Sequence, residues 1–175
     1  MSARQSWNGY SPKKRRLAGL WVFVVLCLLG ALGFAWLRFT PLNRFSAASL
    51  RALRSDPEAV FYSIEPWSEA NGQQGFRGHH IVGQHRLAVQ GEREAIAGWI
   101  AAAARGAWDR AACFNPRHGF RARGPEGTYD FLLCFECGQA VVHGPEGRSE
   151  LVLITGRPDF LDGYLRAHSV ALPDH

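Results

Sequence analysis

The stretch GPEGTYDFLLCFECGQAVVHGPEG, residues 124–147, decides the fold. A Gly-Pro-Glu-Gly tetrapeptide opens it at Gly124 and closes it at Gly147, the internal repetition of the chain. Proline presets φ at the second position of a type I turn, and the last glycine takes the left-handed backbone of a three-residue hairpin loop with its bulge. Strand-like runs flank both copies. The spacing predicts a three-strand antiparallel meander over about Phe114–Arg123, Thr128–His143 and Arg148–Thr155. A straight middle strand would be too long for a small domain, so Gly138 is expected to bend it. Along it Tyr129, Phe131, Leu133, Phe135 and Cys137 share the core face. Asp130, Leu132, Cys134 and Glu136 share the other, which either lines a groove or meets solvent. Counting back across the first turn places Arg121 opposite Asp130, Arg117 near Cys134, and Cys113 close to Cys137 and Gly138.

Working outward, Ala59–Ile64 reads as a strand stopped by Pro66, followed by a polar loop from Ser68 to Gly75. Phe76–Val89, broken by Gly78 and Gly83, predicts a second strand with a bulge or bend. From Gly91 the period becomes helical. Glu92 and Glu94 sit in a first turn, where carboxylates favour the helix dipole, and Ile96, Trp99, Ile100 and Ala103 form one stripe before Gly106. A last helix is predicted from Pro158, with Phe160, Leu161, Tyr164 and Leu165 as its stripe. The expected class is α+β: an N-terminal transmembrane helix, then one domain in which an antiparallel sheet packs on one or two helices.

That transmembrane helix is read from Leu17–Leu37, 21 positions without a charged residue, preceded directly by Lys13, Lys14, Arg15 and Arg16. At ~1.5 Å per residue the run spans roughly 30 Å, a bilayer's hydrocarbon thickness. It is too long for a signal-peptide core, and its bulky end at Phe34-Ala-Trp-Leu37 offers no small-x-small cleavage site, so an uncleaved signal-anchor is expected. Positive charge before the helix places the N-terminus in the cytoplasm and the rest outside. The divisions expected are a basic tail, 1–16; the anchor, 17–38; a stalk or short amphipathic helix, 39–57; and an exported domain, 58–175. The expected location is a bacterial inner membrane, single-pass, with a periplasmic domain.

The net charge of +5 would ordinarily suggest nucleic acid. It does not here, because five of the positive charges lie in the acid-free tail, while the chain from Phe39 carries 14 Arg against 15 Asp plus Glu. The expected partners are the lipid bilayer and another envelope protein, with no nucleic acid.

Of the four cysteines, Cys27 lies in the apolar run. The other three fall in two motifs that the hairpin count brings together, Cys113-Phe-Asn-Pro-Arg-His118-Gly and Cys134-Phe-Glu-Cys137. Three readings follow. The thiols are structural, buried or joined as Cys113–Cys137. With His118 they form a Cys3His zinc site, although in a flat strand Cys134 and Cys137 point to opposite faces. Or Cys113 or Cys134 is a nucleophile, its thiolate favoured by Arg117 and His118, with Glu136 or Asp130 orienting the imidazole. His79, His80 and His85 on the glycine-rich strand are read first as surface or hydrogen-bonding groups and second as additional ligands. Walker, dinucleotide, zinc-protease and haem-attachment motifs are absent from the sequence.

Ala112-Cys-Phe-Asn-Pro-Arg-His-Gly119 followed by Asp130-Phe-Leu-Leu-Cys-Phe-Glu-Cys137 resembles a pattern of small bacterial envelope-anchored proteins with no assigned activity, and Phe76-Arg-Gly-His79 resembles their upstream strand. The resemblance covers roughly residue 61 onward and implies a discrete domain, not a reaction. No complete catalytic set can be assembled from the residues. The expectation is a membrane-anchored domain that binds or scaffolds, with no cofactor; the alternative is a thiol- or zinc-dependent enzyme, or a redox or metal site, built from Cys113, His118, Cys134 and Cys137.

Overall fold

The computed structural model describes residues 21–33, 44–69, 75–105, 107 and 109–173. The chain divides into two compact units, Met1–Leu42 and Asn43–His175. In the first, residues 21–33 are helical and every one is exposed, Trp21, Phe23, Leu26 and Leu29 among them. Both ends of the expected anchor lie outside the described residues, and among those described no helix is long and apolar enough to cross a membrane.

The second unit begins with α1 (Ala47–Ser55). Of the two alternatives expected there, a stalk or a short amphipathic helix, it is the helix, and its apolar face joins the core. Ser46 caps it by accepting the Ser49 N–H, and Ala52 and Leu53 are fully buried as it packs on the sheet and on the next helix. Strand β1 (Val60–Glu69) continues through Pro66 rather than stopping there. Pairing with the strand at His79–Arg86 slips between Glu65 and Glu69, and pairing on the other side ends at Ser63, so the missing N–H breaks no ladder bond.

The expected second strand is a hairpin, β2 (Gly75–Phe76) and β3 (His79–Arg86). Arg77 and Gly78 both take positive φ, 52° and 89°, the backbone of a type I′ turn. The bulge is also present, where Ser63 pairs with Gly83 and Ile64 with Ile81. Helix α2 (Gln90–Ala103) carries the expected stripe, with Ile96 and Ile100 fully buried. On the same helix the buried Arg93 donates to the Arg54 carbonyl at the open end of α1 and to the loop carbonyls of Leu87 and Ala88.

The meander has four strands, not three: β4 (His118–Gly124), β5 (Gly127–Cys134), β6 (Gln139–His143) and β7 (Ser149–Leu153). Gly138, at φ 66°, does not bend a long strand; it helps close a reversal in which Cys134 pairs with Gln139. The two Gly-Pro-Glu-Gly copies form different turns. Gly124 pairs with Gly127 around a two-residue loop, whereas in the second copy the Gly144 N–H donates to the Arg148 carbonyl across the expected three-residue loop, with Gly147 left-handed as expected and Glu146 also at positive φ, which a type I turn does not have. Arg121 stands opposite Asp130, as counted from the first turn. Helix α3 (Asp159–Ala167) closes the domain, burying Leu161 and Leu165.

All seven strands form one antiparallel sheet in the order β2-β3-β1-β4-β5-β6-β7. The fold is therefore α+β. Phe61, Phe120, Phe131 and Leu133 meet Leu53, Ile96, Ile100 and Leu161 in the main core. Each such side chain contributes roughly 1.5–3 kcal/mol by leaving water. On the other face Tyr62, Ile64, Phe76 and Leu132 make a second, smaller core.

Candidate functional site

The two motifs do converge, but through backbone, asparagine, arginine and glutamine contacts rather than through the Cys113 thiol. The Ala111 N–H donates to the Cys137 carbonyl at 2.9 Å, the Arg117 N–H to the Leu133 carbonyl at 3.2 Å, and the Gln139 side-chain amide to the Cys113 carbonyl. The Arg117 guanidinium donates to the Pro173 carbonyl at 3.0 Å, drawing the C-terminal segment over the same place.

Cys137 is bonded to Cys134, not to Cys113. The reversal between β5 and β6 is the reason: it brings together two side chains that a continuous strand would hold on opposite faces. The Asn115 N–H donates to Cys137 Sγ at 3.2 Å and the Cys137 N–H to Cys134 Sγ at 3.1 Å. Both cysteines are essentially inaccessible, at 1% and 0% exposure, so exchange with an external thiol has no approach. Cys113 is free and exposed. The four expected zinc ligands are thus divided among a disulfide, an exposed thiol and an engaged histidine.

His118, at the start of β4, is 2% exposed, and its Nε2 lies 2.8 Å from Asp162 Oδ1 on α3. Its ring packs between Phe61 and Phe135, with centroids 5.9 and 6.2 Å away, and its buried Nδ1 has no hydrogen-bond partner. The bond from His118 holds the Asp162 carboxyl below the usual carboxylate range, with Arg166 and Arg117 adding to the effect and partial burial opposing it. Asp162, rather than Glu136 or Asp130, is the acid that orients the imidazole. Sequence reasoning missed it; the available signal was an acid in the first turn of an otherwise apolar-striped helix.

Together these elements enclose a cleft of about 240 Å³, with Leu133, Phe135 and Leu172 among its apolar walls and His118, Asp162 and Arg117 among its polar ones. Glu136 and Arg157 also line it, Glu136 lying 3.9 Å from Arg117 and Arg157 pairing with Asp159 at 3.2 Å. No serine, threonine or cysteine is among its lining residues.

Asp130 serves a separate place on the opposite face. Buried to 1% exposure, it accepts two bonds from Arg121, at 2.7 and 2.9 Å, and one from Arg77 at 2.6 Å. Arg121 also lies over the Phe76 ring, 5.3 Å from its centroid. The three groups brace the β2–β3 hairpin against the meander. His79 and His80 stand at the far end of β3 from His85 and, among the described residues, join no group of three metal-ligand side chains.

Fold and cleft together define a class: a small α+β domain whose curled antiparallel sheet, covered by three helices, carries a mainly apolar cleft at one end. No family model matches the chain, and no curated protein or solved structure matches it.

Proposed function

We propose that the protein is a membrane-tethered envelope protein whose folded domain binds a ligand in the cleft above Leu133 and Phe135. The observation that carries this reading is the makeup of the cleft: apolar walls with Arg117 and Arg157 beside them, no serine, threonine or cysteine among its described lining residues, and Cys134 and Cys137 sealed in a disulfide nearby. Apolar walls with a few convergent polar groups are the ordinary makeup of a small-molecule site. The ligand class is an apolar body with an anionic head. Arg157 meets the head at the rim, because its pair with Asp159 is exposed on both sides and such pairs are weak. The exposed apolar helix at 21–33, with the basic residues before it, supports the tether, and the resemblance to envelope-anchored proteins agrees with it.

Anilinonaphthalene sulfonate has that chemistry and tests the cleft directly. The fragment from Asn43 to His175 contains every buried core residue among those described and is the material for the titration. It should bind one equivalent with enhanced fluorescence, and Leu172→Trp, which fills the cleft, should weaken binding about tenfold, ~1.4 kcal/mol. Equal binding by the variant would overturn the assignment.

A further inference from the structure

Apart from the cleft, three rigid elements deliver metal-binding side chains to one point. His85 comes from the end of β3, Glu92 from the first turn of α2, and His168 from the C-terminal cap of α3. One ligand atom from each lies within 4.8 Å of the other two, and His168 Nε2 is 3.6 Å from Glu92 Oε1. The two imidazoles lie against each other with centroids 3.9 Å apart, and Tyr164, one turn before His168 on α3, flanks both rings.

We propose that His85, Glu92 and His168 bind a divalent transition metal of the zinc class, as a clasp joining β3, α2 and α3. Two imidazoles and a carboxylate are a familiar borderline-soft donor set, and three protein ligands leave the fourth tetrahedral position for water. Bonds of about 2.0–2.2 Å place tetrahedral ligand atoms roughly 3.3–3.6 Å apart. The His168–Glu92 pair already meets that spacing. Rotation of the imidazoles about their broad χ2 torsions brings the remaining separations down to it.

A surface ion pair alone explains Glu92 and His168 but not His85. His85 is partly buried and stacked on the His168 ring, and a metal shared with Glu92 and His168 gives its ring nitrogen a partner. Burial and Glu92 meanwhile push the Tyr164 phenol up, so it stays protonated beside the carboxylate.

The test is zinc titration of the full chain in a non-ionic detergent after chelator treatment and desalting, followed by calorimetry and thermal unfolding. One equivalent should bind and raise Tm, because a ligand selective for the folded state stabilises it by mass action. Glu92→Gln and His168→Gln should each weaken binding at least tenfold, whereas His118→Ala and Cys113→Ser should leave it unchanged. A readout independent of any variant's folding is carbethoxylation of the wild-type chain mapped by mass spectrometry. Zinc should protect His85 and His168 but leave the exposed His80 reactive. Absence of binding, binding indifferent to Glu92 and His168, or equal modification of His85 with and without zinc would each overturn the site. None of these outcomes bears on the cleft, with which the clasp shares no residue.

Discussion

Gly119 shows how one missing side chain shapes this domain. A Cβ there would stand 2.6 Å from Phe76 Cε1 and 2.7 Å from Ile64 Cδ1, closer than carbon atoms approach without displacement. Phe76 is buried to 1% exposure and stacked on Tyr62 at 4.5 Å, so its ring has nowhere to retreat. The vacancy at Gly119 is what admits Phe76 to the second core. Gly119→Ala should therefore destabilise the domain by about 1–3 kcal/mol through overpacking. Urea unfolding measures this, and an unchanged midpoint would show that the ring moves aside freely. The sequence presents this glycine only as the last letter of a motif. Arg121 opposite Asp130 was legible because one hairpin turn sets their register over nine residues. The second arginine on Asp130, Arg77, is 53 residues away in sequence, and the acid on His118 is 44 away; local spacing carries no trace of either.

At the scale of elements, the helices were readable because each has an apolar stripe at helical period and a boundary residue, whether Pro158 or the carboxylates near Gly91. Strand count was harder. Phe76–Val89 and Thr128–His143 each look continuous by alternation, yet each hides a reversal, at Arg77-Gly78 and at Phe135–Gly138. Alternation reports which face a residue occupies and is blind to a turn that preserves the apolar pattern on both sides. The Cys134-Phe-Glu-Cys137 spacing held the missing information, since two cysteines three apart cannot join in an extended strand and need a turn of chain between them. Their bond closes so short a loop that chain entropy assigns it about 2 kcal/mol. The double variant Cys134→Ser with Cys137→Ser should accordingly lose about that much stability and remain folded. Because both sulfurs are buried, native wild-type protein should also resist dithiothreitol and release two thiols only on unfolding. Rapid release from the folded state would mean that the turn opens, and would restore a redox role.

At the scale of the whole molecule, the proposed tether and the disulfide constrain the same question. A CxxC pair is kept reduced in the cytoplasm and oxidised outside it, so an internal Cys134–Cys137 bond and an extracytoplasmic domain belong together. The charge flanks argue independently for that side, with five cations and no acid before the apolar run. Cys113 makes orientation measurable, being free and exposed on the domain, whereas Cys27 lies within the apolar helix, which the proposed tether would hold in the bilayer away from a charged reagent. A membrane-impermeant maleimide added to intact spheroplasts should label the wild-type chain, and Cys113→Ser should abolish the label. Labelling that appears only after lysis would place the domain in the cytoplasm. The disulfide would then have to be read as two thiols, each accepting a backbone N–H bond, and the pair Cys134 and Cys137 would return as metal ligands awaiting two more.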